Sequence, residues 1–333
     1  MTRHVAISVT FFAVLAASLF AQTAAPAGQV AGVGNFSHIV ANLDKSVEFY
    51  HDLIGLDPDG AVRPFSDNAA IRSLGNTPGA QSRYIPMKIP GSTLGIEIIE
   101  YKDIDRQPAH PRFQDPGAAN LILTLRDLDS ALGRLKQAGG HIVTPSGKPA
   151  AVEGKAGKSQ VVFVQDPDGF VLELSQRDPA PASTAPASSN VIGANFEVCV
   201  NDVDQTIKFY RDALGFAMQP AGAWDGDKVR TETAGTPGAQ YRQSRAQIPG
   251  TNVSMAFIEF KDTDRKPLHT RVQDPGTAIL QLRVRDVEAM AKSLSAAGAT
   301  IVSEGGHPVS MGASKLVLVR DLNNLFLELL PAP

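Results

Sequence analysis

Apolar and polar residues alternate over Asn35–Ala41, with Asn35, Ser37, Ile39 and Ala41 on one side and Phe36, His38 and Val40 on the other. That period of two predicts a half-buried strand. The period then lengthens: Leu43, Val47, Tyr50 and Ile54 form one stripe of a helix over Leu43–Ile54, and Gly55 ends it. Strand-like runs follow near Leu56–Arg63, Gln81–Lys88 and Thr93–Tyr101. The order restarts with a strand at Asn120–Leu125 and a helix at Leu128–Ala138 closed by Gly139. Strands at His141–Thr144, Gln160–Gln165 and Phe170–Ser175 complete it, the last entered through the turn Asp166-Pro167-Asp168-Gly169. The pattern reads βαβββ–βαβββ.

This pattern occurs twice. Asn35–Gln176 is echoed by Asn195–Leu330: Asn35-Phe36 returns as Asn195-Phe196, Phe49-Tyr50 as Phe209-Tyr210, and Thr77–Gln81 as Thr236–Gln240. The longest echo sets Asp105, Arg106, Pro108, His110, Arg112 and Gln114–Gly117 against Asp264, Arg265, Pro267, His269, Arg271 and Gln273–Gly276. A period far above the roughly 20–50 residues of solenoid repeats makes each copy a domain, expected to have its own core. The expected fold class is α+β: paired βαβββ modules forming curved mixed sheets, two such domains in tandem, four modules in all. Helices cover one side of the sheets, and the concave faces are free to line cups. The expected boundaries are 1–21 for a signal peptide, 22–31 for a disordered tether, 32–177 for the first domain, 178–190 for an Ala/Pro/Ser linker and 191–331 for the second domain.

Composition narrows the function. Arg3 and His4 precede an apolar run from Val5 to Phe20, and Ala21 offers a small residue at a cleavage point. The run is short for a membrane span, so it predicts a secretory signal and a periplasmic or extracellular protein, free of the membrane after cleavage. The net charge is −3, with no basic run, which argues against a nucleic-acid partner and for a small-molecule ligand. Cys199 is the lone cysteine and sits in an apolar strand pattern, as a small buried residue does. There is no Gly-x-Ser-x-Gly and no phosphate-binding loop.

The run Val40–Leu56, with Phe49-Tyr50 and Gly55-Leu56, together with Asp166–Leu174, resembles the vicinal oxygen chelate superfamily. That group includes glyoxalase I, extradiol dioxygenases, bleomycin-resistance proteins and epimerases. The resemblance covers both copies. It implies the paired-module fold and cups that commonly hold a divalent metal on each module's first and last strands. Carried onto this chain, the first-strand positions fall on Asn35 and Asn120 in the first copy and on Asn195 and Ile279 in the second. The last-strand carboxylates fall on Glu100 and Glu173, then on Glu259 and Glu328. No histidine stands at these positions. An oxygen-only set of Asn35, Glu100, Asn120 and Glu173 suits Mg²⁺, Ca²⁺ or Mn²⁺ rather than Zn²⁺ or Fe²⁺. Otherwise no cofactor is expected.

The glutamates also stand out by pattern. Glu173 lies between Leu172 and Leu174, and Glu328 between Leu327 and Leu329, so burial demands a metal, a cation or a proton unless the strand end is hydrated. Both are candidate catalytic groups. His110 and His269, the histidines present in both copies, are further catalytic candidates if their loops fold over the cups; otherwise those loops join the modules structurally. Gln81 with Arg83, and Gln240 with Arg242, alternate onto one strand face, where they bind an anionic substrate or neutralise Glu100 and Glu259. Glu197, Gln281 and Arg283 join the expected substrate pocket of the second copy, where an Arg–Glu pair could stand in for a metal's charge. His38 falls on the helix-facing side and reads as a packed residue. Three readings remain: a lyase, isomerase or dioxygenase with one working cup, a metal-free small-molecule binder, or a silent scaffold.

Overall fold

A computed structural model describes residues 29–154 and 157–333; the expected signal peptide and residues 22–28 of the tether lie outside the described residues. The first module comprises β1 (Val30–Val40), α1 (Leu43–Glu48, running on as a π-type turn over Phe49–Ile54), β2 (Asp57–Pro58), α2 (Ala69–Gly75), β3 (Gln81–Lys88) and β4 (Gly95–Lys102). The second holds β5 (Ala119–Leu125), α3 (Leu128–Gln137), β6 (His141–Ile142), β7 (Ala150–Gly154), β8 (Gly157–Gln165) and β9 (Val171–Asp178). The third holds β10 (Val191–Cys199), α4 (Val203–Asp212), α5 (Lys228–Thr233), β11 (Gln240–Gln247) and β12 (Ser254–Lys261). The fourth holds β13 (Ala278–Val284), α6 (Val287–Ala296), β14 (Thr300–Ile301), β15 (Val309–Met311), β16 (Ser314–Arg320) and β17 (Phe326–Pro331). Side-chain oxygens of Asn42, Asp127, Asp202 and Asp286 cap the first helix of each module.

Leu56–Arg63 departs from expectation. Only Asp57 and Pro58 form ladder pairs with β3; beyond them Gly60, at φ +105°, turns the chain, which meets β3 again through Arg63 N–H donating to Tyr84 O. The short helices α2 and α5 fill the span before β3 and β11, too brief to show a helical period in sequence.

Modules pair across the copies. The first sheet runs β14-β16-β17-β13-β1-β4-β3-β2 with β15 on β16, and the second runs β11-β12-β10-β5-β9-β8-β6 with β7 on β8. Thus β1 pairs antiparallel with β13, and β10 with β5. The expectation of a separate core and cup for each copy is corrected here. Each sheet takes one module from each copy, and the helix-facing sides share one core in which Phe36 packs 5.1 Å from both Phe170 and Phe196. Alternation fixes which face a side chain takes but not which strand lies beside it.

The repeated loops carry the chain across. Ala109 N–H donates to Pro275 O and Leu268 N–H to Pro116 O, while Asp274 accepts from Gln107 N–H and Asp115 from Lys266 N–H. Arg112 pairs with Asp115 and Asp264, and Arg271 with Asp274 and Asp105. The turn glycine is required: Gly117 has φ +93°, and a Cβ there would meet Asn323 O at 2.6 Å. Residues between the copies lie against the second module, where Asp127 N–H donates to Asn190 Oδ1 and Arg126 to Ser189 O. Among the described residues no helix is long and apolar enough to cross a membrane.

Candidate functional site

Each sheet curls into a cup. The first is acidic. Ser37 on β1, Glu97 on β4, Gln281 on β13 and Glu328 on β17 point into it from four strands. Gln281 Nε2 lies 3.2 Å from each of Ser37 Oγ, Glu97 Oε2 and Glu328 Oε2, and Ser37 Oγ donates to Glu97 Oε2 at 2.9 Å. The Asn35 N–H fixes that amide's orientation by donating to Gln281 Oε1 at 2.9 Å. Burial raises the Glu97 carboxyl, against hydrogen bonds from Ser37 and Gln281. Burial, reinforced by Glu97, pushes Glu328 up to about 8. Two half-buried acids side by side are stabilised by holding a proton or sharing a cation. Ile71, Leu74, Tyr84, Ile99, Leu316 and Leu318 wall a cavity of about 170 Å³.

The second cup occupies the matching place on the other sheet and holds about 190 Å³. Here Glu197 stands where Ser37 does, Ala256 where Glu97 does, Ile122 where Gln281 does, and Glu173 where Glu328 does. Arg230, at the position of Ile71, enters from α5 and donates from one nitrogen to both Glu197 oxygens at 2.9 and 3.1 Å. Its guanidinium sits 5.4 Å from the centre of the Tyr241 ring. Burial, opposed by Arg230 and Arg245 and reinforced by Glu197, pushes Glu173 up to about 7.

The expected metal set is therefore divided: Asn35 and Glu100 stand on the first sheet, Asn120 and Glu173 on the second. Asn35 lies two residues before the inward Ser37, and its counterpart Asn195 accepts from Ser254 N–H and Oγ, tying β10 to β12. Glu100 faces the helices, accepting Leu43 N–H at the start of α1 and pairing with Arg83 at 2.7 Å. Glu259 repeats this with Val203 N–H and Arg242 at 2.8 Å. Arg83 and Arg242 also reach Asp44 and Asp204, so both arginines serve the helix starts rather than a pocket. Gln81 donates to Asp103, and Gln240 opens β11 opposite Lys261. Arg283 lies beside Gly32 in the β1–β13 ladder, not with Glu197. His110 and His269 are exposed and line a cleft between the crossing loops with Arg112, Asp115, Lys266 and Asp274, away from either cup. Of the pocket candidates, Gln281 reaches the acidic cup and Glu197 the other.

Sequence reasoning missed Ser37, Glu97, Arg230 and Arg245. Glu97 carried the same signal as Glu173: it lies between Ile96 and Ile98 in a strand. Ser37 shares Asn35's face. Arg230 gave no periodic signal because α5 is six residues long.

A third cluster lies behind the first sheet. His38, Asp166 and Asp168 offer ligand atoms within 4.8 Å of one another, a spacing that could hold a metal. Protein groups already occupy it. Asp166 Oδ2 takes His38 Nε2 at 2.7 Å and Tyr50 Oη at 3.1 Å, and its Oδ1 accepts the N–H groups of Asp168 and Phe170. Asp168 accepts Ala41 N–H. Burial lowers the His38 imidazole's basicity, but Asp166 and Asp168 reverse that and leave it raised. The second copy has Val198 and Asn323 at these places and keeps Tyr210 on Asp321 at 2.8 Å. We read the trio as a joint between sheets.

Four βαβββ modules paired into two concave sheets, each with inward groups from four strands, define a paired-module α+β fold. The model of the Glyoxalase/Bleomycin resistance protein/Dioxygenase superfamily matches residues 32–174 and 194–329, and the chain belongs to that superfamily. It is 30% identical over 186 residues to a lactoylglutathione lyase of Arabidopsis thaliana, across 55% of each chain. It is 28% identical over 144 residues to a 2-epi-5-epi-valiolone epimerase of Actinomyces, across 43% of this chain and 77% of that one. The chain thus spans about half the length of the first of these relatives. In structure it resembles glyoxalase I from Zea mays, with a TM-score of 0.59 at 16% identity over 90% of this chain and 92% of that one, a likeness of fold.

Proposed function

We propose that the acidic cup is the working centre of a metal-assisted lyase or isomerase acting on a small molecule outside the cytoplasm. One observation carries the reading: Glu97 and Glu328 are held within reach of one Gln281 nitrogen, with no cationic side chain bonded to either among the described residues. The donor set fits a hard divalent ion. Two carboxylates and the Ser37 hydroxyl are oxygen donors, while Gln281 turns its Nε2 to the site and its Oε1 to Asn35 N–H; an oxygen-only set suits Mg²⁺, Mn²⁺ or Ca²⁺ and disfavours the iron of ring-cleaving chemistry. Glu97 and Glu328 would hold the ion, with Ser37 and water completing the set and Gln281 orienting the two carboxylates. When bound, such an ion supplies Lewis-acid stabilisation to an enolate or diolate oxygen.

The chain's own contribution is shape and exclusion of water. Ile71, Leu74, Ile99, Leu316 and Leu318 present an apolar wall, and Tyr84 adds an amphipathic surface for a carbon skeleton. The lyase and epimerase relatives support the reaction class, and the N-terminal apolar run supports export.

A metal-free binding protein is the second reading. Gln281 favours it, because its Nε2 already donates among the oxygens that a cation would join, and Asn35 N–H holds it so. Elemental analysis of protein purified without chelator and loaded with Mn²⁺ separates the two. A hard divalent ion at one per chain, lost in Glu97→Gln and Glu328→Gln but kept in Glu173→Gln, is expected. No bound metal after loading establishes the metal-free reading instead.

A further inference from the structure

The second cup concentrates unmet polarity. Seven buried side-chain polar atoms among the described residues have no hydrogen-bond partner, and five of them belong to Asn120 (two), Glu173, Arg230 and Gln243. Glu173 and Arg230 line the cavity itself; Asn120, opposite Glu197 in the β10–β5 ladder, and Gln243, two residues before Arg245 on β11, share the inward face behind that lining. Asn120 is 1% exposed and Glu173 8%, so neither recovers its hydrogen bonds from bulk water. A buried polar group left without partners costs folding free energy unless a ligand supplies them. Such groups gathered on one concave surface mark a place built to hold a polar molecule.

Charge narrows what that molecule is. Arg230 is committed to Glu197, but Arg177 and Arg245 line the same cavity, are exposed, and pair with no carboxylate among the described residues. The cup thus carries three guanidinium groups against two carboxyls, Glu197 and Glu173. Serine and threonine hydroxyls of Thr124, Ser159 and Ser175 add donors and acceptors. Hydroxyls that both donate and accept, beside the unpartnered Glu173 oxygen, ask for hydroxyl groups on the ligand.

We propose that this cup is a metal-independent binding site for a small hydroxylated carboxylate, its charged end on Arg245 and Arg177 and its hydroxyls on Glu173, Ser159 and Ser175. The site stands independently of the acidic cup's reading, because it needs no metal. Arg230 supplies as a fixed guanidinium the positive charge that the acidic cup lacks. Glu173, held largely protonated below about pH 7, donates a hydrogen bond instead of repelling the anion.

Calorimetric titration of glycerate into the full-length protein, in buffer containing EDTA, tests this. Saturable binding of glycerate is expected, with none for glycerol and weaker binding for inorganic phosphate. Arg245→Gln, at an exposed position that leaves the core intact, should weaken glycerate at least about tenfold, as loss of one charge-assisted hydrogen bond does. Ser159→Val, which removes a hydroxyl lining the cavity beside Arg177, should weaken it too. Glu328→Gln should leave it unchanged. The proposal is overturned if glycerate does not saturate, if glycerol binds equally, if phosphate binds more tightly, if neither variant weakens binding, or if Glu328→Gln abolishes it.

Discussion

The two cups share a scaffold and differ in how they balance buried charge. At matching positions the acidic cup has Ser37, Glu97, Gln281, Glu328 and Ile71, and the other has Glu197, Ala256, Ile122, Glu173 and Arg230. Each keeps two inward carboxyls. Only the second has a guanidinium among them, and there Glu197 is 2% exposed yet fully bonded. Buried acids on one fold can therefore be tolerated in two ways, by a built-in cation or by a demand for one from outside.

The comparison can be broken by transplanting the cation. Ile71→Arg would place a guanidinium at the position that Arg230 takes in the other cup. A unit charge about 4 Å away is worth about 4 kcal/mol near a protein surface. Metal uptake measured by Mn²⁺ titration should fall at least about a hundredfold; unchanged uptake would mean that the two positions are not equivalent.

Removing the cation is the reverse change. Arg230→Met leaves Glu197 buried and uncompensated, and should cost about 3–5 kcal/mol in urea unfolding. Adding Glu197→Leu should restore most of that loss. A single-variant cost below about 1 kcal/mol would show that the pair is hydrated, as exposed pairs are.

A smaller effect follows from Glu173. Its folded value, about 7, lies above the ordinary 4.5, so the stability it contributes is fully present below pH 4.5 and is lost as pH rises through 7. The loss is up to about 3 kcal/mol. Glu173→Gln should flatten this window in melting temperatures measured from pH 4 to 8. A profile parallel to wild type would contradict the buried, partnerless carboxyl.

Much of this was legible in the sequence. The alternation that set Phe36, His38 and Val40 against Asn35, Ser37 and Ile39 gave the correct inward face, and it placed His38 among packed side chains, where it lies 4.7 Å from the Phe170 ring. Apolar neighbours flagged Glu173 and Glu328. Glu97 and Glu100, an odd number of residues apart on one regular strand, face opposite sides; Glu100, reached through the resemblance, faces the helices, where Leu43 N–H and Arg83 hold it. Strand partnership was the larger omission. Nothing along the chain states that β1 lies beside β13 rather than β5, so the metal candidates were grouped by copy instead of by sheet. The irregular loop around His110 admitted a chemical and a structural reading, and its Arg, Asp and backbone groups clasp the opposite loop.

That crosswise pairing bears on the history of such a molecule. A chain carrying one repeat would expose two unsatisfied strand edges, and two such chains could satisfy both by docking around a dyad. The result would be a symmetric dimer with two identical basins, every substitution felt in both. Joining the halves into one polypeptide ends that obligation. Each basin then draws on residues that no longer recur in its twin, so one can change its chemistry while the other keeps its own.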